Sequence, residues 1–248
     1  MADETHSGDA GAMEALYPFL YADKTDLSAV LDQVRASTVA KAQEIADLRH
    51  EVFVRDADRI IDCAQQAAAR FRAGGRLFAF GNGGSATDAQ QLATLFLNPG
   101  EGIRPLPAFG LASDTSVVTA LCNDIGVDVV FARQLAAFGS RNDIAVGLST
   151  SGNSANLTRA FDEASRRGML TIGLAGYDGG KMAELDTIDY LFVVPSASVH
   201  RIQEAQTTVY QVLWELTAAA LGPPDRTGAA APGLTDQEEV LYVPRYTR

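Results

Sequence analysis

The chain has 248 residues, 47% of them hydrophobic and 8% aromatic, and a formal net charge of −11. That length and apolar content suit one α/β domain or two small ones around a real core. The acidic balance argues against nucleic acid or an anionic membrane as the main partner, because both demand surplus Lys and Arg.

The first residues, "MADETHSGDAG", are polar and small, with neither a basic leader nor an apolar run behind it. Residues 1–26 are expected to be a flexible segment. No apolar run approaches the ~20 residues of a membrane span, so the expectation is a cytoplasmic protein. Residues 27–72 contain neither Pro nor Gly, and apolar residues recur at helical spacing, as at Val30, Leu31 and Val34 and again at Ile60, Ile61 and Ala64. This predicts one long or two consecutive amphipathic helices, stopped by Gly74 and Gly75. The two cysteines, Cys63 and Cys122, are too few for a disulfide framework and lie in apolar contexts, so they read as buried free thiols.

From there the chain alternates. "RLFAFG" (76–81) predicts a strand, with a helix from about Ser85. "LPAFGLA" (106–112) predicts a second strand, followed by a helix through "TSVVTALCND". "DIAVGLS" (143–149) predicts the third, with a helix over "NLTRAFDEASRRG". "LTIGLAG" (170–176) and "YLFVVPS" (190–196) complete five, and the last helix crosses "RIQEAQTTVYQVLWELTAAAL". Short apolar runs alternating with helices require crossover connections, hence a mainly parallel sheet covered on both faces. Residues 27–221 are expected to form one domain. The tail from 222 opens on a Pro/Gly break, and its "EEVLYVPRY" reads as an extended arm or as loose chain.

Open parallel sheets bind ligands beyond the carboxyl ends of their strands. After the first strand, Gly81, Asn82, Gly83, Gly84 and Ser85 supply flexible backbone, an amide and a hydroxyl at a helix start. After the third, Ser149, Thr150, Ser151 and Ser154 surround Gly152 at the next helix start. Backbone N–H groups at a helix N-terminus with hydroxyls beside them make an anion site that needs no lysine. The plain alternative, two ordinary turns with helix caps, weakens when two such loops sit on one sheet. Gly81, Gly83 and Ala86 also fit G-x-G-x-x-A, but the acidic residue that a dinucleotide site requires is not at the end of the second strand; Glu101 lies in the loop before it. No nucleoside-triphosphate loop of the G-x-x-x-x-G-K-[ST] type occurs.

"GNGGSATDAQ", "SDTSVVTALCND", "LSTSGNSANL", "GYDGGKMA" and "RIQE", in that order, resemble the sugar isomerase (SIS) fold and, within it, the phosphoheptose isomerases. The resemblance covers about residues 45 to 220. It implies a three-layer, flavodoxin-like sandwich on a five-stranded parallel sheet, and a homotetramer with sites between subunits. It also implies a phosphorylated sugar as ligand, with phosphate on Ser149, Thr150, Ser151 and Ser154 and the sugar lined by Asn82, Gly83, Gly84, Asn123, Asp124 and Gln203. Ser85 joins this expected binding set.

Aldose–ketose interconversion needs a base to move a proton between C1 and C2 and a group to polarise the carbonyl. The phosphoheptose isomerases resembled use a zinc held by His and Glu on the helix after the first loop and by Gln and His on the last helix. The matching positions here are Gln91, Leu95, Gln203 and Gln211. A leucine binds no zinc and neutral amides are poor zinc ligands, so no metal or other cofactor is expected. The three histidines, His6, His50 and His200, lie elsewhere. Glu204 reads as a base or as a carboxylate favoured by the helix start, and His200 as a shuttle or a solvated residue. Asp114 and Asp178 read first as a helix cap and a turn former. Intact phosphate loops beside the altered zinc positions favour a binding or regulatory homologue that keeps the phosphate pocket, as the initiator-associating protein of bacterial replication shows is possible in this family; the alternative is an isomerase with a changed acid/base set. A protein partner for the first is not identified by any residue.

Overall fold

A computed structural model describes residues 27–222; the expectations for residues 1–26 and for the tail beyond 222 lie outside them. Two compact units divide between Arg55 and Asp56. That boundary falls inside α1 (Leu27–Arg72), a single helix of 46 residues. Without Pro or Gly, nothing in this stretch interrupts the helical hydrogen-bond ladder, so the two-helix alternative resolves to one. In the first unit Val30, Leu31, Val34 and Val39 are exposed. In the second, Ile60, Cys63, Ala64, Ala67 and Phe71 are buried, one stripe at three- and four-residue spacing. Cys63 is a free thiol, and burial pushes it far above its ordinary pKa. Cys122 is free and only half-buried.

The second unit continues as β1 (Leu77–Gly81), α2 (Gly84–Leu97), β2 (Ala108–Gly110), α3 (Thr115–Asp124), α4 (Val130–Phe138), β3 (Ile144–Leu148), α5 (Ala155–Arg166), β4 (Leu170–Gly176), β5 (Tyr190–Val194) and α6 (Val199–Leu221). The five strands form one sheet in the order β2-β1-β3-β4-β5, every pair parallel. β1, β3 and β4 are buried along their whole length, which is why they read as unbroken apolar runs rather than alternating ones. The nine-residue α4 was not expected; it is too short for its apolar period to stand out. Asp114 caps α3, its side chain accepting from Val117 N–H at 3.0 Å.

Side chains on one sheet face, Phe78, Phe80, Ala145 and Ala175, pack with Phe131, Leu135, Leu157 and Phe161 of α4 and α5. The rings of Phe80 and Phe161 meet at 5.3 Å. Gly147 makes this possible, because a Cβ there would overlap both rings. At the amino end of the sheet, buried Asp143 accepts from Arg76 N–H at 2.7 Å, from its guanidinium at 3.0 Å and from the Ser140 hydroxyl at 2.9 Å. Burial alone would raise its pKa; these donors outweigh it and hold the carboxyl below the ordinary value.

Candidate functional site

The strand order reverses between β1 and β3, so the loops that leave these neighbouring strands diverge above a crevice. They are the two loops singled out above. Gly83, at φ 55°, turns the chain from β1 into α2. The Asn82 and Asn156 side chains exchange a reciprocal pair of hydrogen bonds, each 2.9 Å, and so tie the first loop to α5.

The second loop is built around its own hydroxyls. Ser149 is buried, and its Oγ accepts from Gly152 N–H at 2.9 Å. The Ser151 Oγ accepts from Asn153 N–H at 3.3 Å. Gly152 has φ 67°, and a Cβ there would overlap the Gly179 carbonyl, so this loop lies directly on the turn after β4. Asp178 shapes that turn by accepting from Gly180 N–H at 3.1 Å, the expected role. Ser154 is the N-cap of α5, yet its side chain makes no capping bond. Its hydroxyl therefore does not satisfy the first N–H groups of α5.

Gln203 comes from α6 to the first loop. Its side chain packs against Gly84, where a Cβ would collide with the amide, and its Nε2 donates to Asp88 Oδ2 at 3.2 Å. Desolvation raises the Asp88 pKa, against the opposing hydrogen bond from Gln203. Asp88 was not read from the sequence as a functional residue. A single acid within a helix has no marking period, and its partner lies 115 positions on. Gln206 was missed too: it is fully buried, and its Nε2 donates at 2.9 Å to the carbonyl of Ser149. Its three-residue spacing from Gln203 put both on one face of α6, a signal that was available. Its Oε1 has no partner among the described residues.

Ser85 is buried at the start of α2, where its N–H bonds the Asn82 carbonyl at 3.0 Å. Asn123 and Asp124 are exposed at the end of α3 and bond each other at 2.9 Å. His200 is exposed. Glu204 is engaged by the Arg201 guanidinium at 3.0 Å, which argues for an ion pair on the helix rather than a base. Gln91 and Gln211 are exposed and Leu95 is half-buried. Among the described residues, no three His, Cys, Asp or Glu side chains gather as a metal site. Neutral amides such as those of Gln91 and Gln211 are poor zinc donors, and a leucine such as Leu95 is none.

A model of the SIS domain matches residues 42–176. The phosphoheptose isomerase of Nitratidesulfovibrio vulgaris (strain Hildenborough) is 42% identical over 187 residues, 75% of this chain and 89% of that protein. The chain belongs to the SIS domain family. The phosphoheptose isomerase of Aquifex aeolicus (strain VF5) is 43% identical over 175 residues, 70% of this chain and 91% of that one. Among solved structures, a phosphoheptose isomerase from Neisseria gonorrhoeae superposes with a TM-score of 0.67 at 34% identity, covering 76% of this chain and 99% of that one. This SIS domain is thus phosphoheptose isomerase-like in sequence and fold. No helix among the described residues is long and apolar enough to cross a membrane.

Proposed function

We propose that the protein binds a phosphorylated sugar at the β1/β3 crevice. The phosphate lies on Thr150, Ser151 and Ser154 and the N-terminus of α5, with the Ser149 hydroxyl proton behind them. The carbon chain runs toward Asn82, Gly83, Gly84 and Gln203. One observation carries this reading: two glycine-bearing loops flank the point where strand order reverses, one rich in hydroxyls at the start of α5, and an asparagine pair ties the other to α5. Asn123 and Asp124, exposed in the single chain, join the site from a neighbouring subunit of a homotetramer.

The names of the relatives favour an active aldose–ketose isomerase acting on a phosphoheptose. Without a zinc-binding donor set, its proton would move through Asp88. A carboxyl of raised pKa held by Gln203 is suited to taking a proton from one carbon and returning it to the next. The donor set at Gln91, Leu95 and Gln211 favours a second reading, a binding or regulatory protein without turnover. Sedoheptulose 7-phosphate incubated with the protein in D2O separates them. In the isomerase reading, NMR shows deuterium entering next to the carbonyl, unaffected by chelators and abolished in Asp88→Asn. Binding without exchange selects the second reading. Exchange that a chelator removes and zinc restores contradicts the zinc-free assignment.

A further inference from the structure

The side of the hydroxyl loop that faces away from β1 holds a cavity of about 700 Å³, lined by Ser151, Asn153, Tyr177, Asp178, Pro195 and Ser196 among others. None of the residues assigned to the carbon chain of the sugar lines it. Its walls are braced. Asn153 donates to the Ser151 carbonyl at 3.0 Å and accepts from Lys181 N–H at 3.1 Å, and Ser196 Oγ accepts from Ser198 N–H at 3.1 Å. Asp178 spends one carboxylate oxygen on Gly180 N–H, and the other accepts nothing among the described residues.

Tyr177 is the one non-glycine residue with positive φ among the described residues, at 54°. Glycine or asparagine adopts that conformation at less cost than a tyrosine does. The residue is also 42% exposed, so little burial offsets the backbone cost. An aromatic side chain kept against its backbone preference, at the rim of a cavity, points to a use for its face. Among the described residues the lining holds an aromatic face, a carboxylate, an amide and hydroxyls but no cation. That set matches a neutral ring bearing hydroxyls, and the lone carboxylate repels a second anion.

We infer that this cavity receives the hydroxyl-bearing ring of a phosphomonoester whose phosphate sits on the 149–154 loop, with the ring against Tyr177 and its hydroxyls on Asp178 and Ser196. The inference rests on the phosphate assignment above and adds a second direction in which a ligand can leave the loop. The ring has two sources, a nucleoside 5′-monophosphate or a cyclic sugar phosphate. Either would compete with the open-chain substrate for the one phosphate position.

The test is calorimetry of AMP, glucose 6-phosphate and inorganic phosphate with the full chain and with Tyr177→Gly. Glycine suits the backbone, so this variant should melt no lower than the parent. At least one ring-bearing ester should bind at least tenfold tighter than inorganic phosphate, and Tyr177→Gly should remove that advantage while leaving inorganic phosphate unchanged. Loss of the advantage for AMP identifies a nucleotide site, and loss for glucose 6-phosphate alone a cyclic-sugar site. Ring esters no tighter than inorganic phosphate, or an advantage that survives in Tyr177→Gly, overturn the inference alone. Failure of inorganic phosphate and every ester to bind overturns the phosphate assignment with it.

Discussion

Asp88 and Asp143 show how position decides what a carboxylate does. Asp143 lies at the amino end of the sheet, buried and met by Arg76 and Ser140, and it serves stability. Its folded pKa is depressed, so its contribution is complete above the unfolded-chain value of ~3.9 and is lost as pH falls through the lower folded value. Asp143→Ala should destabilise the fold by about 2–3 kcal/mol, measured by urea denaturation at neutral pH, and should flatten the acid limb of the stability profile. A variant as stable as the parent contradicts this role. Asp88 lies at the carboxyl end with a raised pKa, so any exchange activity should rise with pH through that raised value. The 149–154 loop was legible in the sequence because four hydroxyl residues in six positions at a helix start are a dense local signal. Asp88, Asn156 and Gln206 were not. Each acquires its meaning from a partner far along the chain, and beyond the spacing of Gln206 from Gln203 nothing local announces it.

At the scale of elements, the strands were legible to within about two residues, because buried parallel strands are apolar runs bounded by glycine and polar residues. The exception to easy reading is α4, whose nine residues follow a valine-rich turn. The contact of the 149–154 loop with the turn after β4 was also invisible, since it depends on the closeness of Gly152 to Gly179. Gly152→Ala tests that contact. A methyl group at φ 67° must displace the loop, so phosphate affinity should fall at least tenfold while helical circular dichroism is retained. Unchanged affinity would place the phosphate elsewhere. Gln206→Leu should act in the same direction and more mildly, because it frees the Ser149 carbonyl without touching the ligand.

For the whole molecule, apolar surface remains exposed on several elements, α1 and α3 among them. α3 has no buried residue, and Val117 and, just beyond its end, Ile125 are exposed; α1 exposes Val30, Leu31, Val34 and Val39. Faces of this kind are covered in an assembly, which agrees with the tetramer proposed above. Light scattering at micromolar concentration should give four times the 26.3 kDa of one chain, and a single-chain mass contradicts it. The central claim is the phosphate on the hydroxyl loop. Calorimetry with sedoheptulose 7-phosphate, its unphosphorylated sugar and the Ser151→Ala/Ser154→Ala double variant tests it most directly. Charge-assisted hydrogen bonds contribute roughly 1.5–3 kcal/mol each. The phosphorylated sugar should therefore bind at least a hundredfold tighter than the free sugar, and the double variant at least tenfold weaker than the parent at an unchanged melting temperature. Equal affinity in parent and double variant would contradict the account.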